Sequence, residues 1–216
     1  MSPQTPRIAV VDYGAGNLRS VVKALERSQL EARIVTEPAA LRDADAVVLP
    51  GVGAFADAVA NLRERGLDGA VRESIASGRP YLGLCLGLQV LFEESDEHGK
   101  NAGLGLLRGR VQRFPDRDAA GCRLRVPHIG WNDVRFRGSH PMLERLPDDD
   151  CYYFVHSYKA APADAGVAVG LTDYAGEFAA AVARDNVFAV QFHPEKSQSA
   201  GRKLLDAFAA WVRSCA

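Results

Sequence analysis

Apolar residues near the start of the chain fall in short unbroken blocks, with no polar alternation inside them. Ile8-Ala9-Val10-Val11, residues 32–36 and residues 46–49 read as strands covered on both faces. Between them, Leu18, Val21, Val22 and Leu25 recur at helical spacing, with Asn17 placed to cap, and Pro38–Arg42 forms a short helix. This β-α-β-α-β order predicts a parallel, doubly wound sheet. A helix starts at Ala54, and another covers residues 67–77 and stops at Gly78. Then comes Tyr81-Leu82-Gly83-Leu84-Cys85-Leu86-Gly87-Leu88-Gln89-Val90-Leu91-Phe92, a strand running through a cysteine into a helix-compatible apolar face. Residues 93–105 are charged, then glycine-rich, and read as a loop. The pattern afterwards turns to β, with strands at residues 109–114, 131–136, 151–158, 167–172, 178–184 and 187–192. Some of these should be antiparallel, forming an extension or curled flap on the main sheet. A last helix, capped by Ser197 and reaching about residue 212, buries Ala200, Leu204, Phe208 and Trp211.

Length and charge narrow the classes. The 216 residues read as one domain over 1–216, with residues 1–6 as a loose tail, and a 47% hydrophobic share suffices for a sizeable core. A net charge of −1 gives no general attraction to nucleic acid or an anionic membrane, and no apolar run has the length of a membrane span. Cys85, Cys122, Cys151 and Cys215 show no Cys-x-x-Cys spacing and read as reduced thiols of a cytoplasmic protein. The five histidines form no His-x-x-x-His pair, so no metal site is expected. Residues 108–137 carry eight arginines against three aspartates; a solvated strand face, a basic RNA-binding hairpin and a dock for an acidic protein are the three readings.

The candidate chemistry centres on Cys85. Gly83 and Gly87 flank it two residues each way, as in the strand-to-helix elbow that lifts a nucleophile above a sheet edge. Backbone N–H groups at the start of the next helix would favour its thiolate. Gly-x-Cys-x-Gly also surrounds buried, inert cysteines, so this stretch alone leaves both readings open. His193 and Glu195 stand two apart after an apolar strand, bent by Pro194, and extended backbone would point both to one face. They can serve as base and orienter, or make a surface ion pair. Pro50-Gly51-Val52-Gly53 follows the third strand, where bare backbone N–H groups can face a ligand. Gly14 and Gly16 begin a dinucleotide fingerprint, but Arg19 stands where its third glycine belongs.

Gly83-Leu84-Cys85-Leu86-Gly87-Leu88-Gln89 with His193-Pro194-Glu195 resembles the class I (triad) glutamine amidotransferases. Further stretches are similar to the glutaminase subunits of imidazole glycerol phosphate synthase, in histidine biosynthesis. They are Tyr13-Gly14-Ala15-Gly16-Asn17, Pro50-Gly51-Val52-Gly53, Gly103-Leu104-Gly105-Leu106, Pro127-His128-Ile129-Gly130-Trp131-Asn132, Tyr153-Phe154-Val155-His156-Ser157-Tyr158 and His193-Pro194-Glu195-Lys196-Ser197. They keep the family's order over nearly the whole chain; Ile129 departs, standing where many relatives carry a polar residue. The resemblance implies a flavodoxin-like, three-layer α/β fold with a mostly parallel sheet and an antiparallel extension. It implies that Cys85 attacks the side-chain amide of glutamine, His193 moves the protons and Glu195 orients His193. It implies an oxyanion site from the N–H of Leu86 and one from Gly51 or Val52. Gly53, Gln89, Glu97, Ser157 and Tyr158 would hold the substrate, with Glu97 meeting its ammonium. No cofactor is implied. The implied partner is a (β/α)₈-barrel cyclase subunit in a heterodimer, faced by Asn17, Trp131, Tyr153 and Lys196, which receives the ammonia. That use turns the first glycine turn into interface rather than phosphate cradle.

Other classes remain distinguishable. A flavodoxin-like cysteine hydrolase usually carries histidine directly after the cysteine, where this chain has Leu86. A glutaminase feeding another synthetase shares the elbow but lacks the Asn17 and Lys196 signatures. A non-enzymatic scaffold would keep the elbow without a reactive thiol.

Overall fold

A computed structural model describes residues 5–14 and 16–215. Most of the expected tail, residues 1–4, and Ala15 of the first turn lie outside that set, whereas Pro6 is buried and its carbonyl accepts from the Glu31 N–H. The chain runs β1 (Arg7–Val11), α1 (Leu18–Arg27), β2 (Glu31–Val35), α2 (Pro38–Arg42), β3 (Ala46–Gly51), α3 (Phe55–Glu64), α4 (Leu67–Ala76), β4 (Tyr81–Cys85) and α5 (Leu86–Gln89). It continues through β5 (Phe92–Ser95), β6 (Asn101–Ala102), β7 (Leu107–Arg113), β8 (His128–Phe136), β9 (Asp149–His156), β10 (Tyr158–Pro162), β11 (Ala168–Asp173), β12 (Glu177–Arg184), β13 (Val187–Val190) and α6 (Gln198–Cys215).

The body of the sheet is β2-β1-β3-β4-β13, all parallel. From β13 the sheet turns antiparallel through β12, β10 and β7 and ends on β5 and β6. A branch leaves β12 through β11, β8 and β9, all antiparallel. This branch is the flap that the β-rich second half predicts.

Alternate strand residues feed two cores. Ile8, Val10, Val48, Leu82 and Phe188 point to one face, where α1 packs through Val21 and Leu25 and α6 through Leu204 and Phe208. Ala9, Val11, Val47, Leu49 and Ala189 point to the other, under α3 with Phe55, Val59 and Leu62 and α4 with Leu67 and Val71. Burial on both faces is why these strands read as continuous apolar runs. Trp211 belongs to the first core, edge-on to His140.

Several expectations are corrected. The helix after Cys85 is one turn, Leu86–Gln89, and does not reach Phe92. The carbonyls of Val90, Leu91 and Phe92, which would have extended it, accept instead from the N–H groups of Leu104, Leu106 and Gly105. Those bonds draw the chain into β5, so the expected loop contains two edge strands, β5 and β6. The helix is one turn long, so what it offers Cys85 is the first backbone N–H groups after it rather than a sizeable macrodipole. The strand expected over residues 151–158 breaks at Ser157, whose carbonyl accepts from the Phe114 N–H. Ser197 does not cap α6 with its hydroxyl, which instead donates to the His193 carbonyl and accepts from the Tyr153 N–H. Asn17 holds the position before α1 without a side-chain cap bond.

The elbow is set by close approach. A Cβ on Gly87 would lie 1.8 Å from the Leu49 carbonyl oxygen, and one on Gly83 2.6 Å from the Gly87 oxygen. Tyr81, buried under the turn, donates its hydroxyl to the Gly87 carbonyl at 2.8 Å. Cys85 is left at φ 53°, ψ −104°, a conformation that L-residues avoid unless the surroundings impose it.

The two classes of glycine should separate in chemical denaturation. Gly87→Ala has to displace backbone and should cost about 3 kcal/mol or more. Gly69→Ala, at an exposed position of α4 with open space around the new methyl, should gain about 0.5–1 kcal/mol. Equal stability changes would contradict the packing described for the elbow.

Candidate active site

Cys85 ends β4 beside Gly51, the last residue of β3 and its register partner. It lines a cavity of about 370 Å³ with Val52, Gly53, Leu86, Gln89, Glu97, Ser157 and Tyr158. The volume lies within the range of small-molecule sites, roughly 300–1,000 Å³. Every residue expected to bind substrate borders this one cavity. Ser157 and Tyr158 reach it because the strand breaks there. Glu97 arrives on the β5–β6 connection and accepts the Phe55 N–H at 2.6 Å, which fixes its carboxylate at the start of α3. Among the described residues no group of three metal-ligating side chains is present.

His193 and Glu195 enter from the other side. They pair not along extended backbone, as expected, but across a 3-10 turn, Pro194–Lys196. His193 donates from Nδ1 to Glu195 Oε1 at 2.9 Å, with both side chains about 5% exposed or less. That bond leaves Nε2 for chemistry, and Nε2 has no other partner among the described residues. The turn is pressed between two anchors: Ser197 ties His193 to β9, and a Cβ on Gly201 of α6 would lie 1.9 Å from the Pro194 carbonyl oxygen.

Burial alone would lower the basicity of His193. The Cys85 sulfur and the Glu195 carboxylate outweigh it and raise its pKa from 6.5 to about 9. His193, Glu195, Gly51 and Val52 also line a narrow cleft with Asn17 and Lys196. Val52 borders both hollows. Cys85, His193 and Glu195 thus stand between a substrate-sized cavity and a narrow cleft.

Of the residues expected to face a partner, Asn17 and Lys196 line that cleft, and Tyr153 and Trp131 connect to it through Lys196. Trp131 and Tyr153 are register partners on β8 and β9, edge-on at 6.1 Å, and the Lys196 ammonium lies 5.9 Å from the Tyr153 ring centre. Ile129, Trp131 and Val52 are exposed by 57%, 48% and 42%, and only one other large apolar side chain, Ile34, is comparably exposed among the described residues. The arginine-rich stretch forms a separate hollow lined by Arg113, Arg117, Arg123 and Arg125, which contains no nucleophile.

The model of the glutamine amidotransferase class-I family matches residues 9–210. The chain belongs to the class-I glutamine amidotransferase family. It is 51% identical to the imidazole glycerol phosphate synthase subunit HisH of Methylococcus capsulatus, over 94% of this chain and 96% of that one. It is 52% identical to the HisH subunit of Herpetosiphon aurantiacus, over 92% and 91%. Among solved structures, PurLQS from Thermotoga maritima superposes with a TM-score of 0.75 at 20% identity, covering 96% of this chain and 99% of that one; it supports the fold. The doubly wound fold with its antiparallel extension is therefore that of this amidotransferase family.

Two residues escaped the sequence reading as members of the site. Gln191 is fully buried and donates to Cys85 Sγ at 3.5 Å, and Tyr13 packs its hydroxyl where a Cβ on Gly51 would sit. Each lies in a stretch that the sequence singles out, Gln191 two residues before His193 and Tyr13 at the first turn.

The raised pKa makes His193 a stabilising group below pH 6.5, its unfolded value, and that contribution is lost as pH rises through about 9. An NMR titration of the ring should therefore show a midpoint near 9. Glu195→Gln should move the midpoint down toward 6.5, and an unmoved midpoint would mean that the carboxylate does not hold the proton.

Proposed function

We propose that this chain is the glutaminase subunit of imidazole glycerol phosphate synthase, hydrolysing glutamine to glutamate and ammonia and passing the ammonia to a cyclase subunit. The observation that carries the reading is the wall between the two hollows. Cys85 faces a glutamine-sized cavity on one side, and the imidazole that would release ammonia borders a cleft lined by Asn17 and Lys196 on the other.

The chemistry follows from the side chains. His193 takes the Cys85 thiol proton, the sulfur attacks the side-chain amide carbon and a tetrahedral oxyanion forms. Backbone N–H groups of Leu86 and of Gly51 or Val52 stabilise it; loss of one such donor typically costs about 10²–10³ in rate. His193 gives its Nε2 proton to the leaving nitrogen, and ammonia departs. The thioester is then attacked by water, whose proton His193 takes, and glutamate leaves as the thiolate reforms. Glu195 stabilises the imidazolium in both half-reactions. Glu97, Gln89, Gly53, Ser157 and Tyr158 orient the amino acid.

Ammonia released into water is mostly protonated at neutral pH and loses its nucleophilicity. Delivery through the cleft between Asn17 and Lys196, under a docked cyclase, avoids that loss. Val52, at the rim of both hollows, belongs to a glycine-flanked segment whose peptide reorients when the cyclase and its nucleotide bind. Gly53 holds φ +99° with open space around it, which permits that reorientation. The reaction is that of a biosynthetic enzyme working in the cytoplasm.

The reading is tested with the chain and a cyclase subunit mixed. Cys85→Ala should abolish imidazole glycerol phosphate formation from glutamine and preserve it from added ammonium. Trp131→Ala should weaken the complex by roughly 2 kcal/mol, in the range of an aromatic anchor. Glutamine-driven synthesis by Cys85→Ala would overturn the nucleophile, and full glutaminase activity without cyclase would overturn the gating.

A further inference from the structure

Gln191 follows β13 directly and is 0% exposed. Its hydrogen bonds form one end of a directed chain. The Tyr158 carbonyl can only accept, and it accepts from Gln89 Nε2 at 3.0 Å. This fixes which end of the Gln89 amide carries hydrogens. The same Nε2 donates to Gln191 Oε1 at 2.9 Å. Gln191 is therefore held with its carbonyl toward Gln89 and its amide nitrogen toward Cys85 Sγ, at 3.5 Å. The reversed amide would set two NH₂ groups against each other and a carbonyl oxygen against the sulfur.

The accepting carbonyl is itself held from behind. His156 donates from Nδ1 to Tyr158 O at 2.8 Å, and its Nε2 lies 3.0 Å from His128 Nδ1. Burial lowers the pKa of His156 to about 3 and of His128 to about 4, so both rings are neutral. A neutral His156 that donates from Nδ1 must accept at Nε2, so His128 donates from Nδ1 and accepts at Nε2, where Asn132 Nδ2 lies at 3.3 Å. Every bond in the series thus has one direction, set by backbone carbonyls and buried neutral rings.

We infer that Gln191 is a further catalytic residue, whose amide N–H, aimed by Gln89 and the Tyr158 carbonyl, stabilises the Cys85 thiolate before and after each acyl transfer. An N–H donor to a charged acceptor is worth more than one to a neutral acceptor, so it favours the thiolate over the thiol. The titratable groups facing the sulfur are His193 from the turn after β13 and Tyr13 from the turn after β1, with Glu195 behind His193. His193 exchanges its proton during turnover. Gln191 keeps its hydrogen throughout and supplies a constant donor.

The inference rests on Cys85 being the nucleophile, and the two fail separately. The test is the rate of Cys85 alkylation by iodoacetamide across pH, read by peptide mass spectrometry because Cys122, Cys151 and Cys215 also react. Gln191→Glu keeps an acceptor for Gln89 and presents oxygen to the sulfur. It should slow alkylation at pH 6 about tenfold or more and move the pH midpoint upward by about one unit. Gln191→Met, of similar length and uncharged, removes the donor without adding charge and should move the midpoint in the same direction by less. Thermal melts identify which variants remain folded, and either one suffices. An unmoved midpoint in a folded variant would overturn the inference and leave Cys85 as nucleophile. Glutamine turnover by Cys85→Ala would remove the nucleophile itself.

Discussion

The turn at Cys85 depends on backbone lying directly on backbone. Gly87 approaches the Leu49 carbonyl so closely that no side chain fits, and Gly83 approaches Gly87 in the same way. These contacts pull the chain out of β4 sharply enough to leave Cys85 at positive φ. The strain is met by fully buried surroundings, with Leu49, Tyr81, Leu82 and Leu88 all without exposed surface. The Cys85 side chain at the carboxyl end of β4 thus borrows rigidity from two cores, and its backbone cannot relax without unpacking both.

The His193–Glu195 pair is positioned by different means. The His193–Glu195 turn follows β13, the parallel neighbour of β4, so the imidazole and the sulfur come from adjacent strands. The turn is held by α6 through Gly201 and by β9 through the Ser197 hydroxyl. β9 also carries Tyr153 on the exposed face and leads into Ser157 at the substrate cavity. A partner pressing on Tyr153 or Lys196 therefore touches residues one bond network away from the triad. The same strand pair, β8 and β9, presents Trp131 outward and His128 and His156 inward.

Much of this was legible in the sequence. Unbroken apolar blocks located the parallel strands because each strand is covered on both faces. Gly83 and Gly87 marked the elbow because close approach forbids Cβ. Cys85, His193, Glu195, Gly53, Gln89, Glu97, Ser157 and Tyr158 stand in motifs that the sequence displays, and the structure brings them to two adjoining hollows, with Asn17 and Lys196 at the second. What escaped depended on bonds between distant residues. The length of α5 is decided by N–H groups from residues 104–106, the break at Ser157 by Phe114, and the use of the Ser197 hydroxyl by β9. No local pattern records those partners. Gln191 stood in view beside His193 but carries no spacing signal, since its role comes from a chain of amides running through Gln89 to Tyr158.

The central claim is that Cys85 becomes acylated by the side chain of glutamine. The most direct test is a rapid acid quench of the chain turning over glutamine with its cyclase subunit, followed by peptide mass spectrometry. A glutamyl group should appear on the peptide containing Cys85, absent without glutamine and discharged by a chase of the unquenched complex in glutamine-free buffer. Steady turnover with no acylated Cys85 peptide, or with the acyl group on another residue, would contradict the account.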